Sequence, residues 1–217
     1  MGRRRVAVAV AVVGGALAYD RLLRPRLDRW GATDDEVTAA LVGDDAVPAA
    51  DGQTTRAITV DAPPEAVWPW IVQIGADRGG FYSYDALENL FGLGIHSADG
   101  IVDGWQDLVP GDLVYATRSR TGGWVVVECR PPETLVLCVA DVATGRALRR
   151  TDPPGWEFGW TFALRRTPDG RTRVLVRERV AFGSPLMRVL MYPVGAVSFL
   201  MTQRMLSGIR ARAERGS

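Results

Sequence analysis

Lysine is absent from the 217 residues, and all 26 basic side chains are arginine. That absence excludes Schiff-base catalysis and the Walker-type phosphate loop, which both need the lysine amine. Histidine occurs once, as His96, and cysteine twice, as Cys129 and Cys138. Zinc centres gather three or four Cys, His or carboxylate ligands at short spacing. No such cluster is present, so neither a metal nor another cofactor is expected. G-x-S-x-G and H-E-x-x-H motifs are also missing. The 26 basic residues face 25 acidic ones, which leaves no electrostatic footprint for nucleic acid. A simple hairpin across Pro131–Glu133 sets Cys129 opposite Leu135 and Cys138 opposite Val126. The thiols then lie on opposite faces, so no disulfide is expected and both read as buried apolar groups.

What is present is a chain of ordinary globular composition, 47% apolar and 24% charged, long enough to bury a core. Arg3, Arg4 and Arg5 precede an uncharged run, Val6–Tyr19, of 14 residues. As a helix that run spans about 21 Å, against about 30 Å of bilayer hydrocarbon. Extension to Leu23 admits Asp20 and Arg21, which can snorkel at the interface. The first reading is a signal anchor. A cleaved signal peptide, with Ala16-Leu17-Ala18 as the cleavage site, and a soluble helix packed on the domain are the alternatives. Arg21, Arg24 and Arg26 stand against export. The protein is thus expected at the membrane, as a cytoplasmic-membrane protein with a single N-terminal anchor; the side on which the domain lies is left open.

Charge divides the chain. Residues 1–30 carry seven Arg and two Asp, whereas residues 31–53 carry six acids and no base. The division predicts a basic, hydrophobic N-terminal helix (1–30), an acidic connecting segment (31–53) and a globular domain (54–215). The acidic segment reads as solvated linker, with a docking surface as the alternative. Within it, Thr33 and Glu36 form a capping-box pattern for a short helix over 34–41. The domain opens with an alternating strand over 55–60. A Pro-initiated helix follows to about Ile74, and a second helix over 82–91. Strands are predicted over 113–117, 124–130, 134–140, 157–165 and 171–180. The fourth places Phe158, Trp160, Phe162 and Leu164 on one face. The fifth places Val174, Val176 and Val180 opposite Arg173, Arg177 and Arg179. Such alternation predicts an antiparallel sheet with one buried face.

A long helix over 185–214, kinked by Pro193 and Gly195, ends the chain. Met187, Met191, Val194, Ser198, Met201 and Met205 share one of its faces. They read as core packing or as an adaptable pocket wall. Its apolar run, Val189–Met201, is 13 residues and shorter than a membrane span.

The order strand, two helices, antiparallel strands, long helix resembles the START-like helix-grip fold of the SRPBCC superfamily (polyketide cyclase/dehydrase and lipid-transport-like proteins). The stretch from Arg56 through Ala62-Pro63-Pro64-Glu65 to Trp68 is similar to that family's first strand and helix start. Gly80-Phe81-Tyr82-Ser83-Tyr84-Asp85 with Leu87-Glu88-Asn89 resembles the second-helix signature of an uncharacterised subgroup. Trp105-Gln106-Asp107-Leu108, Gly111-Asp112 and the upstream Trp30–Val37 segment extend the likeness to about residues 30–214. Gly100 and Asp103-Gly104 depart from it, where a basic residue and an acid with proline are expected. The resemblance implies an α+β fold in which a curved antiparallel sheet wraps around the long C-terminal helix and leaves a cavity between them. It does not imply one activity.

Such a cavity is apolar with a few polar groups. Phe158, Trp160 and Phe162 are its expected wall from the sheet, and Met187, Met191 and Tyr192 from the helix. Tyr82 and Tyr84 are placed near its mouth, either to bind a polar ligand head or to cap the second helix. Glu178 falls on the inward face of its strand. A carboxylate there is costly unless it is paired, so it is either a pocket acid–base group or the partner of an internal arginine. His96 reads as a loop base or as a plain surface residue. The leading expectation is a membrane-associated domain that binds or carries a hydrophobic small molecule or lipid. A cyclase/dehydratase-type enzyme using Glu178, His96 or Tyr82 is the alternative, and a membrane-tethered interaction module without ligand is the third.

Overall fold

The structure, a computed structural model, describes residues 14, 18–84, 89 and 94–216. The hydrophobic run at 6–17, apart from Gly14, and most of the second helix expected at 82–91 lie outside them. The described start of that helix, Tyr82–Tyr84, is not helical, because Tyr82 adopts φ 55°, a left-handed value that a helix excludes.

Among the described residues, seven strands form one curved antiparallel sheet. They are β1 (Gly52–Val60), β2 (Leu113–Tyr115), β3 (Gly123–Arg130), β4 (Thr134–Asp141), β5 (Arg146–Ala147), β6 (Trp156–Arg166) and β7 (Thr172–Phe182). Their order is β1-β7-β6-β4-β3-β2, with β5 added to β4. The first strand therefore pairs with the last, Gly52 opposite Val180 and Val60 opposite Thr172. β5, with its two residues, is too short to leave a period in the sequence. A bulge between Val126 and Glu128 shifts the β3–β4 register. Cys129 pairs with Leu135 as expected, but Cys138 faces Val125 rather than Val126. Both cysteines are free.

Helix α1 (Arg24–Asp28) follows a π-helical turn, Tyr19–Leu23. Helix α2 (Asp34–Thr38) carries the anticipated capping box: Glu36 N–H donates to Thr33 Oγ1, and Thr33 N–H to the Glu36 carboxylate. Helix α3 (Pro64–Val72) packs Val67, Ile71 and Val72 into the core. The C-terminal helix is broken into α4 (Pro185–Met191) and α5 (Val194–Ala213), which meet at 47°. Pro193 accounts for the break, since it has no N–H and its ring crowds the preceding turn. The far half of α5 buries Met205, Leu206 and Ile209 in the same core as Val174, Val176 and Phe162 of the sheet, packed on α3 and β1.

Residues 31–50 are not a solvated linker. They strap the outer face of the sheet, and Arg177 holds them there. Arg177 is 2% exposed and uses all five of its N–H donors. Nε donates to Thr55 Oγ1 (3.0 Å), and Nη1 to Ala39 O (2.8 Å) and Asp44 Oδ2 (2.7 Å). Nη2 donates to Glu36 O (2.8 Å) and Val37 O (3.1 Å). Three of these acceptors are carbonyls at the end of α2, where the helix leaves them unpaired and cations are favoured. Arg173 pairs with Glu36 at 2.7 Å, and Arg179 Nε donates to Val47 O at 3.1 Å. Acid and arginine thus neutralise each other across the sheet face.

Candidate functional site

Between the concave face of the sheet and the α4–α5 break lies a cavity of about 470 Å³. The alternation of β6 turns Phe158 and Trp160 toward it. Trp124 from β3, Trp156 and Phe81 complete an aromatic wall. Trp124 and Trp160 have ring centroids 5.3 Å apart. Opposite them stand Met191, Val194, Ser198, Met201 and Met205, five of the six residues of the helical methionine face. The break between α4 and α5 leaves this stripe on one side.

One corner is polar. Glu178 accepts hydrogen bonds from Arg56 Nη1 (3.1 Å), Ser198 Oγ (2.7 and 2.9 Å), Thr202 Oγ1 (3.1 Å) and Thr54 Oγ1 (3.2 Å). Arg56 is fully buried and donates from Nε to Leu27 O at 3.1 Å. Its Nη2 lies 3.9 Å from Asp28 and has no hydrogen-bond partner. Burial raises the Asp28 carboxyl above the usual aspartate range, against the pull of Arg24 and Arg56. The inward carboxylate inferred from β7 is therefore the partner of an internal arginine. Arg56 itself was legible by the same rule: it shares a strand face with Ile58 and Val60.

Phe158, Trp160, Glu178, Met191 and Tyr192 all line the cavity. Five other residues read from the sequence do not. Phe162 is fully buried one layer deeper, against Trp160. Met187 turns its methyl toward the Gly155 turn. Tyr84 is exposed, with the Arg204 guanidinium over its ring. His96 is exposed on its loop. Tyr82 is buried beneath α5, where its hydroxyl accepts from Gln73 Nε2 at 2.9 Å and Arg212 covers its ring. Gly208 permits that contact, because a Cβ there would sit 2.4 Å from Tyr82 O. Glu178, Tyr82 and His96 consequently do not converge as an acid–base set.

Burial pushes the Tyr82 hydroxyl up from 10.0 to about 12, and the Cys138 thiol from 9.0 to about 11. For a raised group, the stabilising contribution is complete below the unfolded value and is lost as pH rises through the folded one. With no lysine to titrate, urea unfolding above pH 9.0 should show stability falling by about 2–3 kcal/mol per group. Tyr82→Phe should flatten the upper part of that decline. A wild-type profile flat to about pH 12 would contradict this burial.

No family model matches the chain, and no curated protein does. Among solved structures, the chain is similar to a Mesorhizobium loti protein at 14% identity and TM-score 0.45, covering 76% of this chain and 99% of that one. A Chromobacterium violaceum protein matches at 16% identity and TM-score 0.43, over 75% of this chain and 96% of that one. A Mycobacterium smegmatis protein matches at 15% identity and TM-score 0.43, over 73% and 88% respectively.

Proposed function

We propose that this chain is a START-like helix-grip protein of the SRPBCC type, associated with a membrane through its N-terminal segment, that binds or carries a hydrophobic small molecule or lipid. The observation that carries the reading is the cavity itself: aromatic and methionine walls with one polar corner, the usual make-up of a small-molecule pocket. Methionine suits a wall that adapts to irregular apolar shapes. Glu178, already held by Arg56 and two helix hydroxyls, would accept from a ligand hydroxyl rather than move protons. A buried Trp160 Nε1 without a partner would be satisfied by an acceptor atom on the ligand.

Native mass spectrometry on the full-length protein, purified from cells, tests this. The full chain is required, since a cut at residue 53 removes four of the five acceptors of Arg177. The expected result is one added mass per chain, lost on denaturation, and displacement of an apolar fluorescent probe by a lipid extract. A bare mass together with no probe uptake would sink the reading.

A further inference from the structure

An apolar stripe runs along the outside of the broken helix, at the cavity mouth. Leu186, Val189 and Leu190 of α4 and Val194, Val197 and Leu200 of α5 follow i, i+3 and i+4 spacing and are 45–69% exposed. Leu22 and Leu23, beside α1, are 59% and 54% exposed. The two regions adjoin: the Tyr19 and Tyr192 rings meet edge to face at 6.3 Å, and the Arg24 guanidinium lies over Tyr192. Tyr19, Arg24, Arg188, Met191, Tyr192 and Val194 also line the cavity. Exposed apolar patches of this kind on a folded chain mark contact surfaces.

We propose that this corner is a docking surface for an anionic lipid bilayer, on which α4 and the first half of α5 lie in the interfacial plane with the cavity mouth facing the lipid. The inference rests on the membrane-associated reading above and adds a second contact to it. Three observations select lipid as the occupant. The uncharged sequence run Val6–Tyr19 ends at Tyr19, on this same corner, so a chain held by that run brings the stripe to the membrane. Arg21, Arg26 and Arg188 are exposed around the apolar residues, the arrangement that favours anionic headgroups, whereas Arg24 is already paired with Asp20 and Asp28. And the corner cannot leave the fold to span. Among the described residues no single helix is long and apolar enough to cross a membrane. The bent pair α4–α5 passes by length and composition, but its far half is locked in the core through Met205, Leu206 and Ile209. Lying flat remains. An apolar ligand then passes between bilayer and cavity along Met191, Tyr192 and Val194 without crossing water.

Hydrogen–deuterium exchange on the full-length protein, with and without phosphatidylcholine–phosphatidylglycerol vesicles, tests the proposal. Amides over residues 186–200 should slow about tenfold or more on vesicle addition, less with phosphatidylcholine alone, while the 167–170 turn is unchanged. Leu190→Asp with Val197→Asp should abolish that protection and leave thermal unfolding as it was, since both side chains are exposed and neither lines the cavity. Co-sedimentation with vesicles but no slowing over 186–200 would overturn the docking surface and leave the anchor reading standing. No co-sedimentation at all would overturn both. Exchange over 186–200 as slow without vesicles as with them would also overturn it: in a dimer the occupant is a second copy, and in a monomer it is the chain's own N-terminal segment. Ligand mass in the cavity is read separately and is unaffected by any of these outcomes.

Discussion

Glu178→Leu should destabilise the protein by about 3–5 kcal/mol, because it leaves the fully buried Arg56 guanidinium without its carboxylate. Arg56→Met should cost a similar amount, now stranding Glu178 among hydroxyls that also need a partner. The informative variant is the double one. With both charges replaced by apolar groups of similar size, the desolvation penalty disappears along with the attraction, and such exchanges are commonly neutral. Arg56→Met/Glu178→Leu should therefore recover most of the stability lost by either single variant, with a coupling energy of about 2 kcal/mol or more in urea unfolding. Additive losses would mean that the pair does not act as a unit. If stability returns but the bound mass does not, the pair serves the cavity's contents rather than the fold.

Arg177→Met should be the most damaging change on the opposite face of the same strand. It strands Asp44 and three carbonyls at the end of α2, all now served by one guanidinium. A loss of about 3–5 kcal/mol is expected. For a chain of this size that amounts to a fall in Tm of about 10 °C. Arg177→Lys should rescue less than half, since an ammonium has three donors and cannot reproduce the planar fork. Limited proteolysis gives the local readout: cleavage within residues 31–50 should accelerate in Arg177→Met far more than cleavage within the sheet. Equal acceleration everywhere would mean that Arg177 supports the fold globally and does not hold the strap in particular.

Local periodicity made much of this legible. The alternation of β6 and β7 placed their concave faces correctly but not the outer one, where Ala163, Leu175 and Arg177 are buried beneath the strap. The methionine spacing marked a helix face that serves the cavity at Met191, Met201 and Met205. Thr33 and Glu36 announced the start of α2 because a capping box is a local contact. Features set by distant partners were harder to read. Six acids without a base looked like solvated chain, although the arginines that bind two of them stood in plain view on β7; nothing local says that Glu36 meets Arg173 and Asp44 meets Arg177. Tyr82 looked like a mouth residue because the left-handed backbone that turns it inward leaves no mark in composition. Cys138 missed its partner by one position because a single extra residue in β3 is invisible to a period of two. Glu178 was singled out and Arg56 overlooked, although each interrupts an apolar face in the same way.

The pairing of β1 with β7 has a consequence for how the molecule reaches its native state. Arg56 and Glu178 are separated by 122 positions, and Asp44 and Arg177 by 133. Contacts of such range are slow to form, because loop closure must precede any stabilisation from them. During synthesis β1 emerges early and waits, its edge unpaired, until nearly the whole chain has appeared. Only the arrival of β7 closes the sheet, brings both ion pairs together and gives the strap something to hold. Until then Arg56 and Glu178 are separate, hydrated charges on an otherwise apolar surface, and their desolvation waits for the last strand.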